Sequence, residues 1–111
     1  MTSLKDQHCK PCEGGVEPLT KSAALALMNS IDERWQLSAD GLAIVREFSF
    51  NNFYKTMAFV NAIAFVANGQ GHHPDLEVGY GRCHVTYTTH AINGLSDNDF
   101  ICAARIDALD G

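Results

Sequence analysis

The apolar residues change spacing several times along the chain, and each change marks a new element. Behind Thr20, which can cap a helix, Ala24, Leu25, Leu27, Met28 and Ile31 cover one side at helical intervals, and the pattern stops before Trp35. Trp35 and Leu37 then lead to Asp40-Gly41, a turn dipeptide. After it Leu42, Ile44, Phe48 and Phe50 fall on every second position, with Arg46 interrupting. This predicts a β-hairpin. Helical spacing returns over residues 53–67, with Phe53, Met57, Val60, Ala64 and Ala67 on one stripe, Phe59, Ile63 and Val66 on another, and Asn68-Gly69 as the expected end. Beyond the loop 69–74 a second hairpin is expected. Its first strand carries Leu76, Val78 and Tyr80, and Gly79 and Gly81 lie near its turn. In its second strand Cys83, Val85 and Tyr87 alternate with the polar His84, Thr86, Thr88 and His90. Ser96 with Asp99 opens a last helix in the manner of a capping box, and Phe100, Ile101, Ala104 and Leu109 give it an apolar side.

Strands joined as hairpins between helices predict an α+β fold, a four-stranded antiparallel sheet with helices packed on one face in the order α-β-β-α-β-β-α. The helix over 53–67 is apolar nearly all round, with Lys55 its only charge, and a single small subunit cannot easily cover it. Association of subunits would supply the cover.

A chain of 111 residues is the size of one domain. Its linker-like stretch, 11–18, holds Pro11, Gly14, Gly15 and Pro18. It divides a flexible N-terminal tail, residues 1–18, from a single domain at 19–111. The net charge of −5, with the cations scattered, argues against direct nucleic-acid binding. No apolar run is longer than that at 62–67, far too short to span a bilayer, and the N-terminus has no apolar run behind a basic start, so a cytoplasmic location is expected. Cys9, Cys12, Cys83 and Cys102 are then expected as free thiols. His8, Cys9 and Cys12 offer soft zinc ligands but lack a second pair to complete a tetrahedral structural site.

Imidazole titrates near neutrality, at about 6.5 when unperturbed, so His72, His73 and His90 are the candidates for proton transfer. Pro74 biases His73 to extended backbone, which sends His72 and His73 in different directions from a constrained loop. His90 is expected at the end of the last strand, on the face that also carries His84, and His84 reads as an exposed strand residue. Adjacent histidines chelate one ion poorly, so no metal site is expected here. No glycine-rich loop opens a helix to cradle phosphate.

Gly71-His72-His73-Pro74, Tyr80, the run from His84 to His90, and Gly94-Leu95-Ser96 with Asp99 closely resemble the signature of the pterin-4a-carbinolamine dehydratases. Trp35, the strand from Arg46 to Phe50 and the helix from Phe53 to Phe65 extend the likeness to about residues 20–108. Two positions depart from the usual pattern. Asn68 stands where many members carry an acidic residue, which bears on electrostatic tuning of His72, and Leu76 stands where an aromatic is common.

The resemblance implies dehydration of 4a-hydroxytetrahydrobiopterin (pterin-4a-carbinolamine) to quinonoid dihydropterin, recycling the pterin of aromatic amino acid hydroxylases such as those acting on phenylalanine. The catalyst would be histidine general acid and base, with no cofactor and no metal. Carried over residue by residue, His72, His73 and His90 would be catalytic. His72 and His90 would be candidate acids and His73 binder or base. Pro74, Thr89, Ala91 and Asp99 would bind the substrate, with Thr89 and Ala91 bordering the ring through free backbone groups. Asp99 has two readings, as a helix cap or as a carboxylate that orients a histidine. The resemblance also implies a homodimer or homotetramer and a functional link to a hydroxylase. Its alternative is a non-catalytic dimerisation cofactor or regulatory binding protein on the same fold.

Overall fold

The computed structural model describes residues 3–10 and 17–110. Helix α1 is Lys21–Met28, capped by the Thr20 hydroxyl, which accepts from the Ala23 N–H. Strands β1, Gln36–Leu37, and β2, Ile44–Ser49, form the first hairpin, and Gly41 takes the left-handed backbone (φ 74°) that its turn requires. Helix α2 is Phe53–Gln70, capped by the Asn52 side chain on the Lys55 N–H. Strands β3, Asp75–Val78, and β4, Arg82–Tyr87, form the second hairpin, and α3 is Asp97–Asp110. The strands order β1-β2-β4-β3, all antiparallel, so β2 and β4 pair centrally and join the hairpins. This is the expected α+β order.

The helices meet one face of the sheet. Ile44, Phe48, Cys83, Val85 and Tyr87 point from the strands into a core completed by Ala24, Phe59, Ile63, Phe100, Ala103 and Ile106 from the helices. Each large apolar side chain buried there contributes about 1.5–3 kcal/mol. Arg46, which looked like an interruption, keeps the alternation: Ile44, Arg46 and Phe48 are all buried. Its guanidinium lies 4.1 Å from the Phe48 ring centre, and Nη1 lies 2.6 Å from Asp107 Oδ1 on α3.

Several boundaries differ from the sequence pattern. Helix α2 passes through Asn68-Gly69 to Gln70, because the residue that closes it is Gly71, at φ 65°. Strand β4 ends at Tyr87, so His90 is not a strand residue. Thr89 bridges back to Gly94, and His90 opens the 3-10 turn His90–Ile92. On α3 the buried side is Phe100–Ala103 with Ile106, while Leu109 is 43% exposed. Residues 3–10 lie against the domain. A 3-10 turn, Leu4–Asp6, packs on α3; Arg105 donates to the Gln7 carbonyl, and Asn98 exchanges hydrogen bonds with the backbone of Lys10. Cys12 lies outside the described residues.

Candidate active site

The end of α2 places the first histidine. The His72 N–H donates to the Ala67 carbonyl at 3.2 Å and the Gly71 N–H to that of Asn68 at 3.4 Å, the paired bonds of a Schellman closure. Glycine is needed at its left-handed position. The chain leaves the helix at a fixed angle, and the His72 ring stacks on Tyr87 of β4 at 5.4 Å between centres.

The start of α3 supplies its partner. Asp99 is fully buried, and its Oδ1 lies 2.6 Å from His72 Nε2. Its Oδ2 accepts from the Thr89 hydroxyl at 2.8 Å and the Ser96 N–H at 3.0 Å. The Ser96 hydroxyl lies 2.8 Å from Thr89 Oγ1, and because Thr89 gives its own proton to Asp99, Ser96 donates to Thr89. Asp99 is thus both the acidic half of a capping box and the partner of a histidine. The two readings of its sequence position are not alternatives.

Burial pushes the His72 ring down, but the Asp99 carboxylate, by hydrogen bond and charge, more than offsets this, so His72 titrates above its ordinary value. With Nε2 committed to Asp99, Nδ1 is the ring nitrogen left for a substrate.

His73 and His90 are exposed and differently held. His73 Nε2 lies 3.1 Å from Asn68 Oδ1, one turn back on α2. His90 is 77% exposed and reaches across to Asp75 Oδ2 at 3.9 Å. Its partner stands just beyond Pro74, so the loop carrying His72 and His73 is touched on one side by α3 and on the other by the His90 turn. Asn68 therefore bears on His73 rather than His72, and the carboxylate that tunes His72 is Asp99. His84 is half-buried on β4, 3.7 Å from Glu47 of β2, away from this set.

Thr89 does not offer a free backbone. Its N–H donates to the Gly94 carbonyl at 2.8 Å, and its carbonyl accepts from Ile92 at 3.2 Å and Gly94 at 3.4 Å. Its contribution is the hydroxyl on Asp99. Ala91 is exposed and Pro74 half-buried at the rim of the loop. Ser96 meets Asp99 as its capping-box spacing predicts, whereas its hydroxyl bond to Thr89 and the parts played by Tyr87 and Asp75 carry no local signal in the sequence.

The pterin 4 alpha carbinolamine dehydratase profile matches residues 17–109. The chain belongs to that family. As a member it is a dehydratase, a hydro-lyase. It is 57% identical over 106 residues, 96% of this chain and 92% of the other, to a Nitrosomonas eutropha protein provisionally named pterin-4-alpha-carbinolamine dehydratase. A Legionella pneumophila (strain Lens) protein with the same provisional name is 54% identical over 110 residues, 98% of this chain and 97% of the other. Among solved structures, a transcriptional coactivator/pterin dehydratase from Brucella melitensis superposes with a TM-score of 0.80 at 32% identity, covering 86% of this chain and all of that one. A pterin dehydratase-like RuBisCO assembly factor of the α-carboxysome gives 0.60 at 26% identity, over 69% of this chain and 89% of that one. Dehydratase chemistry and coactivator or assembly roles thus occur on this one fold.

Proposed function

We propose that this chain dehydrates 4a-hydroxytetrahydrobiopterin to quinonoid dihydropterin by histidine acid and base catalysis, with His72 as the principal acid. The observation that carries this is the buried Asp99 on His72 Nε2, which favours the charged imidazole at neutral pH. In the reaction the bond from C4a to the hydroxyl oxygen breaks as a histidinium donates a proton to the departing hydroxyl, which leaves as water. The N5 proton passes to a neutral histidine, and its bonding pair completes the double bond between C4a and N5. Each proton transfer so assisted contributes typically about 10²- to 10⁴-fold. His73, exposed on the loop, and His90, exposed on the turn that reaches Asp75, are the candidates for base and second acid. Pro74 and Ala91 border the pterin, and Thr89 and Asp99 support it from behind.

The same reading makes the enzyme a cytoplasmic one that recycles the pterin of an aromatic amino acid hydroxylase, with residues 19–111 as its catalytic domain. Among the described residues no helix is long and apolar enough to cross a membrane. It also makes the protein a homodimer or homotetramer. On α2, Phe53 is 49%, Tyr54 84% and Phe65 82% exposed, a surface that a second copy would cover. Light scattering at micromolar concentration should give a multimeric mass.

The deciding experiment follows the ultraviolet change as enzymatically generated 4a-hydroxytetrahydropterin dehydrates, with and without the protein and with a strong chelator present. Acceleration that survives the chelator supports the reading. No acceleration sinks it, and acceleration lost to the chelator and restored by zinc sinks the metal-free mechanism. The coactivator named on the Brucella protein gives a second reading its one specific support. Co-purification with a transcription factor rather than a hydroxylase would favour it.

A further inference from the structure

Directly beneath the His72 loop lies a pair of thiols that the proposed dehydration does not use. Cys102 sits one turn after Asp99 on α3, is fully buried, and its Sγ lies 4.0 Å from the His72 carbonyl. Cys9, on the N-terminal segment, is half-buried and brings its Sγ to 3.5 Å from Cys102 Sγ and 3.6 Å from the Asn98 carbonyl. The segment is held there by its neighbours. The Cys9 N–H donates to Gln70 Oε1 at 2.8 Å, the Lys10 backbone is paired with Asn98, and Arg105 grips the Gln7 carbonyl. A half-exposed thiol is thus pinned against a buried one 93 residues away in sequence.

We propose that Cys9 and Cys102 are a redox modification site at which a small disulfide such as oxidised glutathione installs an intramolecular disulfide, locking residues 3–10 onto α3. The two sulfurs need only close from 3.5 Å to the bonded distance of about 2.05 Å.

The chemistry of the pair is asymmetric in the required sense. The Cys102 hydrogen bond and, more weakly, the Arg105 charge lower the Cys9 thiol, whereas its coupling to Cys9 and its burial push Cys102 up. Cys9 is therefore the sulfur that reacts first, as the thiolate. It attacks one sulfur of the glutathione disulfide, that S–S bond breaks, and one glutathione leaves as thiolate and takes up a proton. Cys102 then loses its proton and attacks Cys9 Sγ, expelling the second glutathione, which is protonated in turn. Two electrons and two protons pass from the protein thiols to the glutathione disulfide, and no other reactant is needed.

The consequence falls on the N-terminal segment. In the reduced protein it is held by hydrogen bonds that can open singly. In the oxidised protein it is tied covalently to the helix that carries Asp99. A cross-link spanning 93 residues restricts the unfolded chain strongly. The proposal concerns stability and linkage, so it stands or falls independently of the pterin reaction.

The test incubates the full chain, and separately its Cys12→Ser, Cys9→Ser and Cys102→Ser variants, with oxidised glutathione, followed by peptide mapping and thermal melting. Wild type and Cys12→Ser should each lose two hydrogens in mass and yield a Cys9–Cys102 linked peptide. Their melting temperature should rise by at least about 5 °C, and dithiothreitol should reverse both changes. Cys9→Ser should show neither change, and it controls for any misfolding of Cys102→Ser because its site is not in the core. A stable glutathione adduct on Cys9, a link from Cys9 to Cys12 or Cys83, or no reaction at all would each overturn the proposal.

Discussion

Helix α3 carries two carboxylates turned into the protein, one near each end, and they are held in closely similar ways. Asp99 accepts from a histidine, a hydroxyl and a backbone N–H; Asp107 accepts from Arg46, the Trp35 indole at 2.7 Å and the Asp32 N–H at 2.9 Å. The difference lies in the cation. Arg46 is charged at every accessible pH, so its pair with Asp107 is a fixed part of the structure. A histidine, unlike an arginine, can give up its proton, so the pair of His72 with Asp99 can change state. Two almost equivalent acceptor sites are thus made structural or chemical by the choice of one partner.

The largest effect should come from breaking the fixed pair. Asp107→Ala leaves the 1%-exposed Arg46 side chain without its closest carboxylate. Loss of one partner of a buried pair costs about 3 kcal/mol or more, lowering the melting temperature by roughly 10 °C with turnover of the folded fraction unchanged. A large fall in turnover per folded molecule would erase the contrast. Next, His73→Ala should reduce turnover by about 10²-fold and barely move the melting curve, since His73 is exposed and its ring lies against Asn68. Unchanged turnover would remove His73 from the site.

Asp99→Asn sharpens the contrast further, because Asn is nearly isosteric but uncharged. Turnover should drop at least about tenfold, ~1.4 kcal/mol of barrier. The limb of the pH profile that needs protonated His72 should move to lower pH, because the carboxylate that raises His72 is gone. A wild-type profile would leave Asp99 as a cap alone.

The smallest effect is on stability. A histidine raised in the folded state stabilises fully below its unfolded pKa and loses that contribution as pH rises through the folded value. As the pH rises from about 6.5, the ordinary histidine value, the wild-type melting temperature should therefore fall more than that of Asp99→Asn. Equal falls would mean that the pair is not coupled to folding.

These two clusters also show what the sequence made legible. The elements were readable because caps and periodicity are local: Thr20 and the alternation of Cys83, Val85 and Tyr87 act within a few residues. The bond from the Ser96 N–H to Asp99 was readable for the same reason, being three residues long. Arg46 looked like a break in a strand because its neutralising partner, Asp107, stands 61 residues on. His90 was placed on a strand because alternation continues through Thr88 and Thr89. The strand stops earlier because Thr88 donates to the Leu42 carbonyl at 2.6 Å and Asn93 takes a left-handed backbone (φ 54°), which returns the chain as Thr89 pairs with Gly94. The resemblance named His72, His73 and His90 together, yet only His72 is paired with a buried carboxylate. Which partner each histidine meets depends on contacts between elements, such as that of Asn68 with His73, that no local spacing encodes.

The Schellman closure of α2 has a kinetic meaning as well. The His72 N–H, bonded to the Ala67 carbonyl, and the His72 ring, bonded to Asp99, belong to one residue. Unwinding of the last helical turn exposes that amide to solvent in the same opening that lets the ring swing off its carboxylate. Hydrogen exchange at this single backbone position therefore times the openings of the helix end that carries the His72 ring.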